Sequence, residues 1–179
     1  DSIGLFEYKV IAAHCVHLSA GDIGILARQG TGVAHNPGSN LKLGSGIAPL
    51  GELLQAGVKV ALGTDGAGSN NNLDMWEEIS LAALLPKGTS QDPTVLPAKK
   101  ALHMATTWGA EALGISQLGK LKEGYRADLV ALRSSAPHLE PLYNPLAHLV
   151  YSAGAADVSL VLVDGEILVK NGQLTALDE

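Results

Sequence analysis

A carboxylate, Asp65, closes the apolar run Lys59-Val-Ala-Leu-Gly-Thr-Asp65-Gly66. Residues 58–62 read as a buried strand, β-branched and uncharged apart from Lys59. Gly63 and Gly66 punctuate its exit, and the polar loop Ser69-Asn70-Asn71-Asn72 follows. In α/β folds chemistry is placed at the carboxyl ends of strands, so Asp65 is a candidate metal ligand or proton acceptor. An Asx-turn that closes the strand accounts for the same spacing. Two earlier strands end in a similar way, residues 10–13 at His14 and residues 32–34 at His35-Asn36-Pro37. Imidazole and carboxylate at neighbouring strand ends can bind a divalent ion, move a proton or stabilise a developing anion.

Other polar residues carry weaker signals. His14-Cys15-Val16-His17 could suggest zinc only with further ligands. Alternating strand residues face opposite sides, so His14 and Cys15 are not expected to share a site. Cys15 reads as a small core filler and His17 as a structural loop residue. His35 and Asn36 read first as a polar strand cap, and His103 as a core histidine at apolar helical spacing. His138 and His148 receive no functional reading. Glu77 and Glu78 read as a solvated helix face. Gly63-Thr-Asp-Gly-Ala-Gly68 lacks the lysine and spacing of a phosphate loop.

The elements that must position these groups follow from periodicity and punctuation. Ser19 is an N-cap with Asp22 three residues on, and the helix it opens runs to Gln29 with Ile23, Leu26 and Ala27 inward and Gly30 as terminator. Residues 38–43 read as a polar loop. Residues 49–56 form a short helix closed by Gly57, residues 74–85 a longer one, and residues 97–106 and 108–113 two more, ended by Gly114. Strand, helix, strand, helix, strand implies parallel strands with right-handed crossovers, and polar strand ends on one side are the pattern of a (β/α) barrel rim. Beyond residue 118 the composition turns to short strands at 118–124, 127–132, 158–163 and 166–170. Asp164-Gly165 and Asn171-Gly172 provide tight primed turns.

The 179 residues suffice for one domain with a core or for parts of two. With 46% hydrophobic and 17% charged residues the chain is expected to be globular, and a net charge of −6 gives no nucleic-acid groove and no basic membrane surface. A single cysteine excludes an internal disulfide, and with no membrane span or signal peptide expected the reading is cytoplasmic. The chain opens on Asp1 rather than Met and is expected to be a piece of a longer protein.

Taken together, Ala13-His-Cys-Val-His-Leu18, His35-Asn-Pro-Gly-Ser-Asn-Leu-Lys-Leu43 and Gly63-Thr-Asp-Gly-Ala-Gly-Ser-Asn-Asn-Asn-Leu-Asp-Met75 resemble the amidohydrolase superfamily. The similarity is to its cytosine deaminase and chlorohydrolase-like branch, and most of all to the 5-methylthioadenosine/S-adenosylhomocysteine deaminases. Gly119-Lys-Leu-Lys-Glu-Gly-Tyr-Arg-Ala-Asp-Leu-Val130 resembles the return from barrel to β-sandwich in these enzymes. The resemblance implies an α/β fold, the C-terminal part of a (β/α)8 TIM-type barrel. Residues 1–118 would carry strands six to eight, and residues 119–179 part of a small β-sandwich domain. It implies Asp65 at the end of strand eight as metal ligand, proton acceptor from the attacking water and substrate contact. It implies His14 at the end of strand six as a catalytic and substrate-binding residue. The cofactor implied is one divalent metal, zinc in preference to Fe2+. The partner implied is a small-molecule purine nucleoside or related heterocycle, and the full-length enzyme is expected to be a homo-oligomer.

The family also needs a His-x-His pair, a third metal histidine and an acidic glutamate, and none of these is in this sequence. The chain alone is therefore expected to be inactive, and its open strand edges to favour self-association. Two alternatives stand beside the deaminase: a related amidohydrolase acting on guanine, cytosine-like or chlorotriazine rings, and an inactive half-barrel binding module.

Overall fold

Three short strands lie side by side in parallel register, β1 (Ile11–Ala13), β2 (Gly32–His35) and β3 (Val60–Leu62), in that order. They are seen in a computed structural model that describes residues 3–176. Helix α1 (Ala20–Gln29) connects the first two strands; α2 (Pro37–Lys42) and α3 (Leu50–Gln55) connect the second and third. The capping box at the start of α1 is formed: the Ser19 side chain accepts from the Asp22 N–H, and the Asp22 carboxylate accepts from the Ser19 N–H. Gly30 ends α1 in the left-handed conformation, where the absence of a Cβ removes the steric penalty.

After β3 come α4 (Ala67–Asn70), α5 (Met75–Ser90), α6 (Ala98–Ala105) and α7 (Thr107–Leu113). One apolar cluster joins these layers. Val33 and Val60 of the sheet meet Leu26 of α1, Leu53 of α3, Ile79 and Ala82 of α5, and Met104 of α6. Leu53 is fully buried, so Leu53→Ala would cost about 2–5 kcal/mol through lost transfer energy and the cavity left behind. Lys59, the one charge beside β3, pairs with Glu111 of α7 at 2.9 Å, both side chains half exposed.

Then follow β4 (Leu129–Leu132), α8 (Pro145–Tyr151), β5 (Val158–Val163), β6 (Glu166–Lys170) and β7 (Gln173–Leu174). The four strands form an antiparallel meander in sequence order. Asp164 and Gly165 both have positive φ, as do Asn171 and Gly172, which is the geometry of the expected primed turns. Among the described residues β1 and β3 each have only β2 as a neighbour, so both margins of the parallel sheet are open. No helix among the described residues is long and apolar enough to cross a membrane.

Four expectations are corrected. Residues 38–43 are mostly helical: Pro37 fills the first helical position and the turn continues to Lys42. Helix α5 does not stop at Leu85 but runs through Pro86 to Ser90. The Lys87 ammonium and the Thr89 and Ser90 hydroxyls donate to carbonyls of the turn around the proline. Residues 118–124 are irregular, with a bend at Gly119 and a turn at Glu123-Gly124, and form no strand. Finally, a helix interrupts the C-terminal strands. α8 has Asn144 as N-cap, accepting from the Ala147 N–H at 3.2 Å, and Pro145 as its first residue. It packs on α5 and α6, and Val150 joins the apolar cluster of the parallel sheet.

Candidate active site

The exits of the three parallel strands converge. His14 follows β1 and Asp65 follows β3, the two outer strands, yet His14 Nε2 lies 3.8 Å from Asp65 Oδ2. Both residues adopt left-handed backbone, φ +64° each, and Cys15 follows His14 at +51°. Such conformations cost non-glycine residues about 1–3 kcal/mol and persist only where the surroundings enforce them. The enforcement is visible at His14, whose N–H donates to the Ala34 carbonyl at 2.8 Å and extends the β1–β2 ladder by one bond. The left-handed pair also ends the strict alternation of the strand. The Cys15 side chain packs on the apolar cluster, its Sγ 3.8 Å from the Ala12 carbonyl, and burial pushes its thiol up. It is a core filler.

Helix α2 supplies what lies between the two outer strand ends. Asn40 Oδ1 is 2.8 Å from His14 Nδ1, and Ser39 Oγ donates to Asp65 Oδ2 at 2.8 Å. Ser69 of α4 donates to the same carboxylate oxygen at 2.6 Å. The Ser69 hydroxyl, then the Ser39 hydroxyl and the Gly66 N–H, hold the Asp65 carboxyl down to about 2, with a smaller pull from His14. Asp65 is thus an ionised, partly exposed carboxylate at neutral pH, its side chain 35% accessible and that of His14 39%. It can accept a proton or bind a cation, with the imidazole edge facing the same space.

His35 and Asn36 are buried at the exit of β2. Turned so that its amide is satisfied, Asn36 donates to the carbonyls of His35 and Gly63 at 3.3 and 3.1 Å, tying the β2 exit to the β3 exit. A Cβ on Gly63 would stand 2.6 Å from that amide, so the glycine permits the close approach. Burial, and then the neighbouring His14, lower the His35 imidazole to about 4. His17 is exposed on the loop before α1. His103 is held at 2.8 Å by the Thr107 hydroxyl and stacks on Trp108. His138 pairs with buried Asp157 at 2.9 Å, and His148 lies on α8.

The reading of Glu77 and Glu78 as a solvated face fails for Glu78, which is 1% exposed. Its Oε2 accepts from the Gly38 N–H at 2.9 Å and its Oε1 from Asn70 Nδ2 at 2.7 Å. Burial raises its carboxyl, and these two donors oppose the rise. The roles of Ser39, Asn40, Ser69 and Glu78 rest on partners 4 to 40 residues away in sequence. The run Ser39-Asn40 offered polar types, but only its helical conformation aims them at two different strands.

Among the described residues no group of three or more His, Cys, Asp and Glu side chains could hold a metal ion. A catalytic zinc takes three protein ligands, and this constellation offers the Asp65 carboxylate with His14 beside it. The described residues by themselves do not supply a metal centre.

Known proteins share this arrangement of elements. A 5-methylthioadenosine/S-adenosylhomocysteine deaminase of Dictyoglomus thermophilum is 55% identical over 179 residues, all of this chain and 42% of the relative. The crystal structure of an adenosine deaminase from Xanthomonas campestris with bound zinc matches with a TM-score of 0.90 at 41% identity, over 94% of this chain and 38% of that one. That of the atrazine chlorohydrolase TrzN from Arthrobacter aurescens, complexed with zinc, matches with a TM-score of 0.87 at 35% identity and the same coverage. The chain therefore spans about two fifths of the length of the relatives it matches. The model of the amidohydrolase family matches residues 1–168, and the chain belongs to that family.

Proposed function

We propose that the longer protein carrying this chain is a metal-dependent aminohydrolase that deaminates an adenine-type nucleoside such as 5-methylthioadenosine or S-adenosylhomocysteine. The observation that carries the reading is the convergence of Asp65 and His14 at one end of a parallel sheet, within 3.8 Å. In this reading β1, β2 and β3 are strands six, seven and eight of a (β/α)8 barrel whose other strands close the open margins. Residues 1–118 are its barrel portion and residues 119–179 part of a β-sandwich, from which α8 returns to the barrel helices. Val130 of β4 and Val163 of β5, exposed on one face of the antiparallel sheet, support a second layer over that face.

Asp65 would hold a divalent ion, zinc by preference, as one of its ligands, and the ion would supply a water nucleophile near neutral pH. In the reaction a carbon–oxygen bond forms at the ring carbon, the bond to the exocyclic amine breaks, and ammonia leaves. Asp65, already ionised, accepts the proton released by the attacking water and passes it toward the departing amine. His14, held by Asn40, presents its Nε2 edge to the space beside Asp65 in which the water attacks the ring.

The names of the most similar relatives favour adenine nucleosides, with 55% identity to a methylthioadenosine/S-adenosylhomocysteine deaminase against 35% to a triazine chlorohydrolase. Ammonia release by the full-length protein from 5-methylthioadenosine, guanine and cytosine, and chloride release from a chlorotriazine, test the choice. Turnover of methylthioadenosine is expected; turnover of the triazine alone would transfer the site to the chlorohydrolase reading.

A further inference from the structure

We propose that Glu78 is a positioning residue for Asp65, holding the two serine-bearing segments that grip the Asp65 carboxylate. The inference rests on the reading of Asp65 as the working carboxylate. Glu78 sits in the first turn of α5, buried, with each carboxylate oxygen taken by a different segment. One oxygen accepts from the Gly38 N–H and the other from the Asn70 side chain. Gly38 immediately precedes Ser39, and Asn70 immediately follows Ser69. Those serines are the two hydroxyl donors to Asp65 Oδ2. One buried carboxylate thus fixes the spacing of α2 and α4, and the spacing decides whether both hydroxyls reach the other carboxylate.

Three further observations mark Glu78 as more than a filler. A Cβ on Gly38 would overlap Glu78 Oε1 and stand 2.9 Å from Asn70 Nδ2, so the glycine keeps this three-way junction open. Asn36, the N-cap residue of α2, makes no side-chain capping bond, and Glu78 takes a free N–H of the first turn instead. Asn70 Oδ1 accepts from the Leu73 N–H at 2.7 Å, so the same amide that Glu78 grips also shapes the exit of α4. A buried carboxylate carries a desolvation cost that a well-packed apolar residue would avoid. The contacts it makes here are those that aim Ser39 and Ser69. The exposed Lys42 ammonium ties the same two helices from the solvent side, donating to the Gly68 carbonyl at 3.0 Å and to Asn71.

The test uses the full-length protein and two variants. Glu78→Gln keeps the volume but turns one acceptor into an NH2 group that opposes a donor. Gly38→Ala displaces the carboxylate from the other side. In crystals of Glu78→Gln at least one serine hydroxyl is expected to leave hydrogen-bonding distance of Asp65. Zinc affinity and kcat are expected to fall about 10–100-fold, the range for groups that orient a metal ligand, with KM nearly unchanged. Gly38→Ala should reproduce the loss, and the double variant should fall by no more than about 2-fold beyond either single one. Both serine bonds intact in Glu78→Gln, with kcat and zinc affinity at wild-type values and only Tm lowered, would overturn the proposal. A wild-type protein that takes up no zinc and releases no ammonia refutes the reading of Asp65 instead. The serine–Asp65 distances in the variant crystal then still decide for or against Glu78.

Discussion

The two sheets of this chain are built by different rules. Around the parallel sheet β1–β3 and its helices, seven polar residues among those described are buried: Thr31, His35, Asn36, Ser39, Asn40, Glu78 and Thr107. Around the antiparallel sheet β4–β7 the described residues include one, Asp157. The left-handed residues differ in kind as well. At the parallel strand exits they are His14, Cys15 and Asp65, side chains with no need of a turn conformation. In the antiparallel sheet they are Asp164 and Asn171, each followed by glycine in a hairpin turn. Ordinary turn chemistry explains the second set. The first set carries strain that only a surrounding network enforces, and strain of that kind accumulates where a site needs a fixed geometry.

That contrast predicts unequal responses to substitution. The largest belongs to Asp65. Asp65→Asn in the full-length protein should lower turnover by about 10²–10⁴-fold, the contribution of a positioned proton acceptor, while the fold persists. Steady-state kinetics alongside circular dichroism would check this, and wild-type turnover would break the comparison at its strongest point.

Next comes the acid limb of stability around His35. Its imidazole is lowered from 6.5 to about 4 in the folded protein. As pH falls the unfolded state therefore binds the proton first. Stability is full above about pH 7 and declines between pH 6.5 and 4, by about 3 kcal/mol over the window. Urea unfolding at pH 7.5 and 4.5 reads the loss, and His35→Gln should flatten it.

A smaller effect is expected in the antiparallel sheet. Asp157 accepts from the Gly154 N–H at 3.0 Å and pairs with His138, and these contacts hold its carboxyl below the usual range. Asp157→Ala should cost about 1 kcal/mol, because the half-buried Gly154 N–H loses its acceptor. Turnover per folded molecule should not change. The Asp157 carboxyl is depressed on folding, so its contribution is present above about pH 4 and fades below it, apart from the His35 window. Gly165→Ala, at a φ of +87°, comes last at about 1 kcal/mol, again without a kinetic effect. A kinetic defect in either variant would blur the division between the two sheets.

What the sequence made legible follows the same division. Strand exits at His14, His35 and Asp65 could be read from apolar runs ending in polar residues. The Ser19 capping box and the Asp164-Gly165 turn are local chemistry within a few residues. The helix at Asn144-Pro145 was equally local, an N-cap followed by a first-position proline, but the strands around it outweighed that signal. The conformation of residues 37–42 was not local. Pro37-Gly38-Ser39-Asn40 has turn-forming composition, and its helical state is completed by Glu78, 40 residues on. Glu78 in turn reads as a solvated carboxylate because helical periodicity says nothing of a partner arriving from another strand exit. Its neighbour Glu77 is indeed exposed and bonds the Asn72 amide.

The central claim is that Asp65 is one ligand of a metal centre completed outside this chain. Counting zinc bound at equilibrium tests it most directly, for the full-length protein, its Asp65→Asn variant and the 179-residue chain alone. The account predicts one tightly held zinc per full-length chain and little or none in the other two. Zinc held as tightly by Asp65→Asn as by the wild type would contradict it.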